Sequence, residues 1–302
     1  MRKVYAPRIR LSPKEADIIK QYRDGKIDLA DPAEPENRTN LPKILIMDIE
    51  TAPLEAFLWT LRTNYVSPAM LNDRTNYSML SWSAKWLFDE NIMNDVVTPQ
   101  EALEEDDGRI AASIWKLIDE ADIVVSHNGK NFDHKMLNMR WLINDILPPT
   151  PYKVIDTYQV SKGVFRFPSN RLDYIAKELG FDGKLAHSGV AMWKKCMAGD
   201  SAELEKMVKY NDRDVFILED VYLMFRPWIK NHPNVGLFME AEEPVCATCG
   251  SKHLHPDGFY HTSVSKFQTL RCDECGSLSR QRTNKLPKDI RKILLSGVPG
   301  DR

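Results

Sequence analysis

The sequence predicts an α/β protein: a mixed β-sheet with helices packed on its faces, followed by a small module built on paired cysteines. Three observations carry this reading. Short apolar runs of strand length, ILIMDIE (44–50), ADIVVSHN (121–128) and YKVIDTY (152–158), alternate with segments whose apolar residues recur at helical spacing. SMLSWSAKWLF (78–88) and IMNDVV (92–97) are joined by DEN alone and read as an antiparallel hairpin. Residues 241–282 turn short and polar, with glycine and two Cys-x-x-Cys pairs.

Residues 1–40 read as an extension. Arg2, Lys3, Arg8 and Arg10 form a basic cluster, and Ser12-Pro13-Lys14-Glu15 is a helix start with a capping box. That helix is expected to end near Gly25, before the proline-rich linker DPAEPENRTNLP (31–42). The main domain, 41–230, opens on the strand from Ile44. After the hairpin come a helical pattern over 108–121, the strand 121–128, and a helix over 131–146 with Phe132, Met136, Leu137, Trp141 and Leu142 at helical spacing. LDYIAKELG (172–180) reads as a helix stopped by Gly180, and 201–229 as a long closing helix broken at Pro227. A basic tail, 283–302, follows the cysteine module, with a short helix within 286–295.

The chain has 302 residues, 43% hydrophobic and 28% charged, as expected of a globular protein. Its formal net charge of −2 excludes a globally basic nucleic-acid binder but leaves room for local basic patches. No apolar run approaches membrane-spanning length, and the N-terminus lacks a signal-peptide core. The expectation is a cytoplasmic protein, in a bacterium or a host cell, neither secreted nor membrane-bound.

Asp48 and Glu50 alternate on the first strand, so both carboxylates face one side. Like charges side by side need compensation. A divalent cation, Mg²⁺ or Mn²⁺, provides it through hard oxygen ligands; a strand end reaching solvent is the plainer alternative. Asp133 lies where a strand gives way to a helix, a place where α/β sheets collect their sites and equally a place for a helix cap. Tyr210 and Asp214, four apart, share a helix face, whereas Asp212 and Arg213 point elsewhere. Each feature alone is ordinary.

Their order resembles the DEDD exonucleases of the ribonuclease H-like superfamily. Asp48-Ile49-Glu50 matches that family's first motif, Asn128 through Asp133 the second, and Tyr210-x-x-x-Asp214 the third. Asp156-Thr157 and Arg171-Leu172-Asp173-Tyr174 also look like the family, and the resemblance covers about 43–228. Lys209 stands where the histidine subfamily has its histidine, which indicates the tyrosine branch. The nearest likeness is to exonuclease domains of family B DNA polymerases and to stand-alone bacterial and phage relatives, with too few residues remaining for a polymerase domain to follow. The resemblance implies 3′→5′ hydrolysis with two Mg²⁺ or Mn²⁺ ions held by Asp48, Glu50, Asp133 and Asp214. It also implies that Tyr210 orients the attacking water and that Thr51 and Phe132 contact the terminal nucleotide. Asn128 is read as shaping its turn, and His127 and His134 as packing residues. The implied partner is nucleic acid with a free 3′ end, single-stranded DNA favoured, together with replication or recombination proteins. A non-catalytic binding or scaffold protein and a structure-directed endonuclease are the other readings on this scaffold.

Cys246-x-x-Cys249-Gly250 and Cys272-x-x-Cys275-Gly276, separated by 22 residues, have the spacing of a structural Zn²⁺ site, and the module resembles a zinc ribbon. His253, His255 and His261 read as loop residues beside a filled coordination sphere. Two roles suit the module: a nucleic-acid grip using Lys266, Arg271, Arg280, Arg282 and Lys285 with Phe259 and Tyr260, or docking to a protein. Cys196 is left over and reads as a buried apolar residue.

Overall fold

The computed structural model describes residues 41–72, 77–186, 188–239 and 241–297. The extension with its expected helix from Ser12 lies outside them. The chain divides into two units, Met1–Asn40 and Leu41–Arg302, and the second contains all of the described residues.

Strand β1 (Ile44–Thr51) is the middle of a five-stranded sheet of order β3-β2-β1-β4-β5. Its partners are β2 (Met79–Trp86), antiparallel, and β4 (Ile123–Ser126), parallel. β3 (Met93–Val96) completes the expected hairpin with β2, and β5 (Lys153–Asp156) runs parallel to β4. Helices α1 (Pro99–Glu104), α2 (Gly108–Glu120), α3 (Asp133–Ile143), α4 (Thr157–Val164), α5 (Leu172–Glu178), α6 (Val190–Met197) and α7 (Ser201–Phe225) lie around it.

Period-two alternation divides β1 between two cores. Leu45, Met47 and Ile49 pack with Ile110, Ile114 and Ile118 of α2 and Trp141 of α3. Ile44 and Ile46 pack on the other face with Ile175 of α5 and Val215, Leu218, Val221 and Tyr222 of α7. Asp48 and Glu50 share the parity of Ile44 and Ile46, so their place at the end of β1 puts them on the α7 side. Helix α7 begins on Asp200, whose carboxylate accepts from the Ala202 and Glu203 amides, and ends in a 3₁₀ turn at Arg226–Trp228 that contains Pro227. The long closing helix is therefore as expected.

A buried ion pair locks α2 and α3 to β2. Asp107 Oδ2 lies 2.6 Å from Arg140 Nε in the ion pair, and the carboxylate accepts from Arg140 Nη2 at 2.7 Å, from the Met79 amide at 2.7 Å and from Asn144 Nδ2 at 3.0 Å. Lys85 of β2, itself buried, pairs with Glu219 of α7 across the other face.

Helices α1, α4 and α6 were not expected from periodicity. The expected strand 152–158 stops at Asp156, because that side chain caps the amides of Tyr158 and Gln159 and starts α4 at Thr157. α1 begins on a capping box between Thr98 and Glu101.

The carboxyl-terminal part is a separate antiparallel sheet, β6 (Leu254–His261), β7 (Lys266–Cys272) and β8 (Leu278–Asn284), followed by α8 (Lys288–Ile293) inside the expected 286–295. The segment after α7 ties it to the main domain. Tyr222 Oη and His232 Nε2 are 2.8 Å apart, and the Val235 amide donates to Ala247 O at 2.8 Å. At Gly250, with φ of +79°, a Cβ would come within 2.7 Å of Met239 Sδ and 3.2 Å of Val235 Cγ1, so only glycine fits.

Candidate active site

Three carboxylates from distant parts of the chain converge. Oxygens of Asp48, Glu50 and Asp214 all lie within 4.8 Å of one another. The first two come from the end of β1, where pairing with β4 has already stopped at Ile46. The Ile49 amide is therefore free of that ladder, and Asp133 Oδ1 takes it at 3.3 Å. Asp133 is the first residue of α3 and reaches across to β1; Phe132, the residue at the cap position, makes no side-chain cap bond. Asp133 is buried and electrostatically linked to Asp48 and Glu50, but it stands outside the group of three.

The loop that delivers Asp133 is held by Asp156. Its carboxylate accepts from the amides of Asn128 at 2.9 Å and Lys130 at 3.1 Å, besides capping α4. Asn128 has φ of +69°, as its turn-shaping reading expects. A Cβ on Gly129 would fall 2.0 Å from Ser126 Oγ, so the chain passes too close to β4 for any side chain. His127 and His134 are engaged on both ring nitrogens, with Thr157 and Asn170 O, and with Ser126 and Tyr152. Burial holds both imidazoles down to about 4, so they are neutral at physiological pH.

Tyr210 and Asp214 lie on one face of α7, and a residue that no motif spacing marks joins them. Lys184 Nζ donates to Asp214 Oδ2 and, at 3.1 Å, to Tyr210 Oη, and lies 5.1 Å from the Tyr210 ring centre. Asp173 anchors this lysine by accepting from its amide at 2.8 Å, and Arg213 binds the carbonyls of Asp182 and Gly183 just before it. Lys184 sits in an irregular loop, where side-chain periodicity carries no signal. The only trace in the sequence is the acidic Leu172-Asp173-Tyr174 segment that fixes it. Trp193 of α6 hydrogen-bonds Glu50 and meets the Tyr210 ring edge-on at 6.2 Å.

The electrostatics follow from placing four acids beside one ammonium. Burial, then the neighbouring carboxylates Asp133, Asp214 and Glu50, push Asp48 well above the usual carboxylate range, with Lys184 opposing. Burial lifts Glu50 to about 8 and Asp133 to about 7, and raises Asp214 against the pull of Lys184. It also lifts the Tyr210 phenol to about 12. Asp214 Oδ1 is buried without a hydrogen-bond partner among the described residues. An orphaned carboxylate oxygen in a cluster short of positive charge fits a divalent cation.

Beside Asp48 opens a cleft of ≈ 780 Å³, walled by His127, Asn128, Tyr158, Asn170, Arg171 and Lys184. Thr51 follows a bulge at the end of β1. Phe132 is partly buried against the core. Asp212 turns away to Ser83 and Asn94, as its helix position predicts.

The four module cysteines form a second group. Their sulfurs lie within 4.8 Å of one another, with Cys246–Cys275 at 3.6 Å and Cys249–Cys272 at 3.5 Å. A tetrahedral Zn²⁺ with bonds of about 2.3 Å requires sulfur–sulfur edges of roughly 3.8 Å, so the group fits that ion. His253 and His255 face Glu274 and Asp273. Cys196 is fully buried, as expected.

Comparison with known proteins agrees with the sheet. The RNase_H superfamily model RNase_H_2 matches residues 69–225, a span that begins after β1 and contains Asp133, Lys184, Tyr210 and Asp214. The DNA polymerase III PolC-type of Ureaplasma parvum serovar 3 is 29% identical over 136 residues, 44% of this chain and 9% of that protein. The chain thus spans under a tenth of that relative's length. The family B DNA polymerase of the archaeon Pyrobaculum calidifontis superposes with a TM-score of 0.46 at 16% identity, over 62% of this chain and 25% of that one. With a family match over more than half its length and a five-stranded mixed sheet flanked by helices, the chain belongs to the RNase H superfamily.

Proposed function

We propose that this chain is a metal-dependent 3′→5′ exonuclease that hydrolyses phosphodiester bonds of nucleic acid by a two-metal mechanism, with single-stranded DNA the favoured substrate. The observation that carries the proposal is the convergence of Asp48 and Glu50 with Asp214, contributed by a strand and a helix far apart in sequence, at an open cleft. The likeness to a DNA polymerase supports DNA over RNA.

Asp48, Glu50 and Asp214 would hold the cations, with Asp133 beside them as a further support. Bound Mg²⁺ or Mn²⁺ would lower the pKa of water and stabilise the leaving oxygen. The protein's own groups do the rest. Tyr210 keeps its proton at neutral pH, so it positions the attacking water by hydrogen bonding and does not act as a base. Lys184 is held next to the acids by Asp173 and offers its charge to a phosphate oxygen. Arg171 and Lys184 give the cleft its positive wall, and Thr51 and Phe132 are the proposed contacts to the terminal nucleotide. One structural Zn²⁺ on Cys246, Cys249, Cys272 and Cys275 would hold the second sheet.

The test is product analysis on single-stranded DNA labelled at its 5′ end, with Mg²⁺ or Mn²⁺. Stepwise shortening from the 3′ end, lost in Asp48→Ala, supports the proposal. Undiminished activity in a folded Asp48→Ala protein, or cuts within a closed circle, overturns it, the latter in favour of an endonuclease.

A further inference from the structure

The sheet β6–β8 has almost no core. Cys272 is its one buried residue, yet it carries exposed rings, Phe259 at 46% and Tyr260 at 49%. Neighbours on a strand point to opposite faces. The pairing of Tyr260 with Phe267, and of Thr269 with Arg280, gathers Tyr260, Phe267 and Arg280 on one of them. There the Arg280 guanidinium lies 4.5 Å from the Phe267 ring centre and 5.4 Å from that of Tyr260. On the opposite face Lys266 Nζ is 3.9 Å from the ring centre of Phe259. Arg271 is tied to Asp257, but among the described residues Arg280 and Lys266 form no ion pair. The stretch that begins just before Arg280 is basic. Residues 276–297 hold six Lys and Arg against one Asp, in a chain whose net charge is −2.

We propose that the face of this sheet bearing Tyr260, Phe267 and Arg280 is a binding surface for single-stranded nucleic acid. An acidic peptide would need the cations but not the rings, and an apolar peptide the rings but not the cations. Flat rings beside unpaired cations serve both parts of a nucleotide, the base by stacking and the phosphate by charge. Bases in a duplex are already stacked, so a single strand is the form that fits. The proposal deepens the proposed nuclease function and rests on it for the substrate class.

The test uses the full-length, zinc-containing protein and a fluorescein-labelled oligothymidylate. Binding is followed by anisotropy at several salt concentrations, with neither chelator nor added Mg²⁺. Tyr260→Ala is expected to weaken binding about 5- to 100-fold, the range of one lost stacking contact. Arg280→Ala is expected to lower the salt slope by about one. Arg280→Lys is expected to keep the slope while losing affinity, since it retains charge without the plane. Zinc content of one per chain in each variant shows that the sheet is intact. Unchanged affinity and slope in zinc-replete Tyr260→Ala and Arg280→Ala overturns the proposal and leaves the face to a protein partner. If the protein cleaves nothing yet binds through Arg280 and Tyr260, the catalytic reading fails and this one stands.

Discussion

Raising the pH without a divalent cation should destabilise this protein, and adding the cation should reverse the loss. Glu50 and Asp133 have folded-state pKa values raised from 4.5 to about 8 and from 3.8 to about 7. Between pH ~4 and ~8 the folded state then binds more protons than the unfolded state, so unfolding free energy falls as pH rises through that window. At about 1.36 kcal/mol per unit, Glu50 alone sets an upper bound of about 5 kcal/mol. Water in the open cleft screens the acids, and they share protons as one coupled set, which brings the expected net drop to about 2 kcal/mol. A cation at about 100 times its dissociation constant returns about 2.7 kcal/mol. Since its ligands must be ionised, that gain should grow from pH 6 to pH 8. Thermal melts from about pH 5 to 9, with and without Mg²⁺, measure both effects. A cation-free stability that holds level or rises across this window, with no Mg²⁺ shift at its upper end, would refute the reasoning.

Other perturbations test the frame around the site. Arg140→Met strands the Asp107 carboxylate in the core and should cost about 3–5 kcal/mol, read by chemical denaturation; a loss under about 1 kcal/mol would mean that the Met79 and Asn144 donors suffice. Lys184→Met removes the sole ammonium facing Asp214 among the described residues, so the cation-dependent rise in melting temperature should increase, and an unchanged rise would contradict this. Cys272→Ser, or chelation, should make residues 241–297 sensitive to protease while the sheet β1–β5 persists, because the second sheet has so little core of its own.

Much of this was legible in the chain itself because it rests on local rules. The strand period placed Asp48 and Glu50 on one side, the helix period placed Tyr210 and Asp214 together, and DEN between apolar runs gave the hairpin. Helices α4 and α6 carry little periodic signal because they are short and capped or placed by tertiary contacts; Asp156 serves the Asn128 loop and α4 at once, and no local pattern announces that. Lys184 is unmarked in the sequence for the same reason. Its position comes from Asp173 on α5 and from Arg213 on α7, and a loop lysine has no period to betray it. Helix α1 is likewise absent from the periodicity, although its capping box is written in Thr98-Pro99-Gln100-Glu101.

The central claim is that Asp48, Glu50 and Asp214 form a metal-dependent centre that removes nucleotides from a 3′ end. Its most direct test is a time course on 5′-labelled single-stranded DNA with Mn²⁺, comparing the wild-type chain with Asp214→Asn and a free with a blocked 3′ terminus. The account predicts a ladder receding one nucleotide at a time, absent with Asp214→Asn and with the blocked end. Equal cleavage by folded Asp214→Asn protein, or internal cuts that ignore the block, would contradict it.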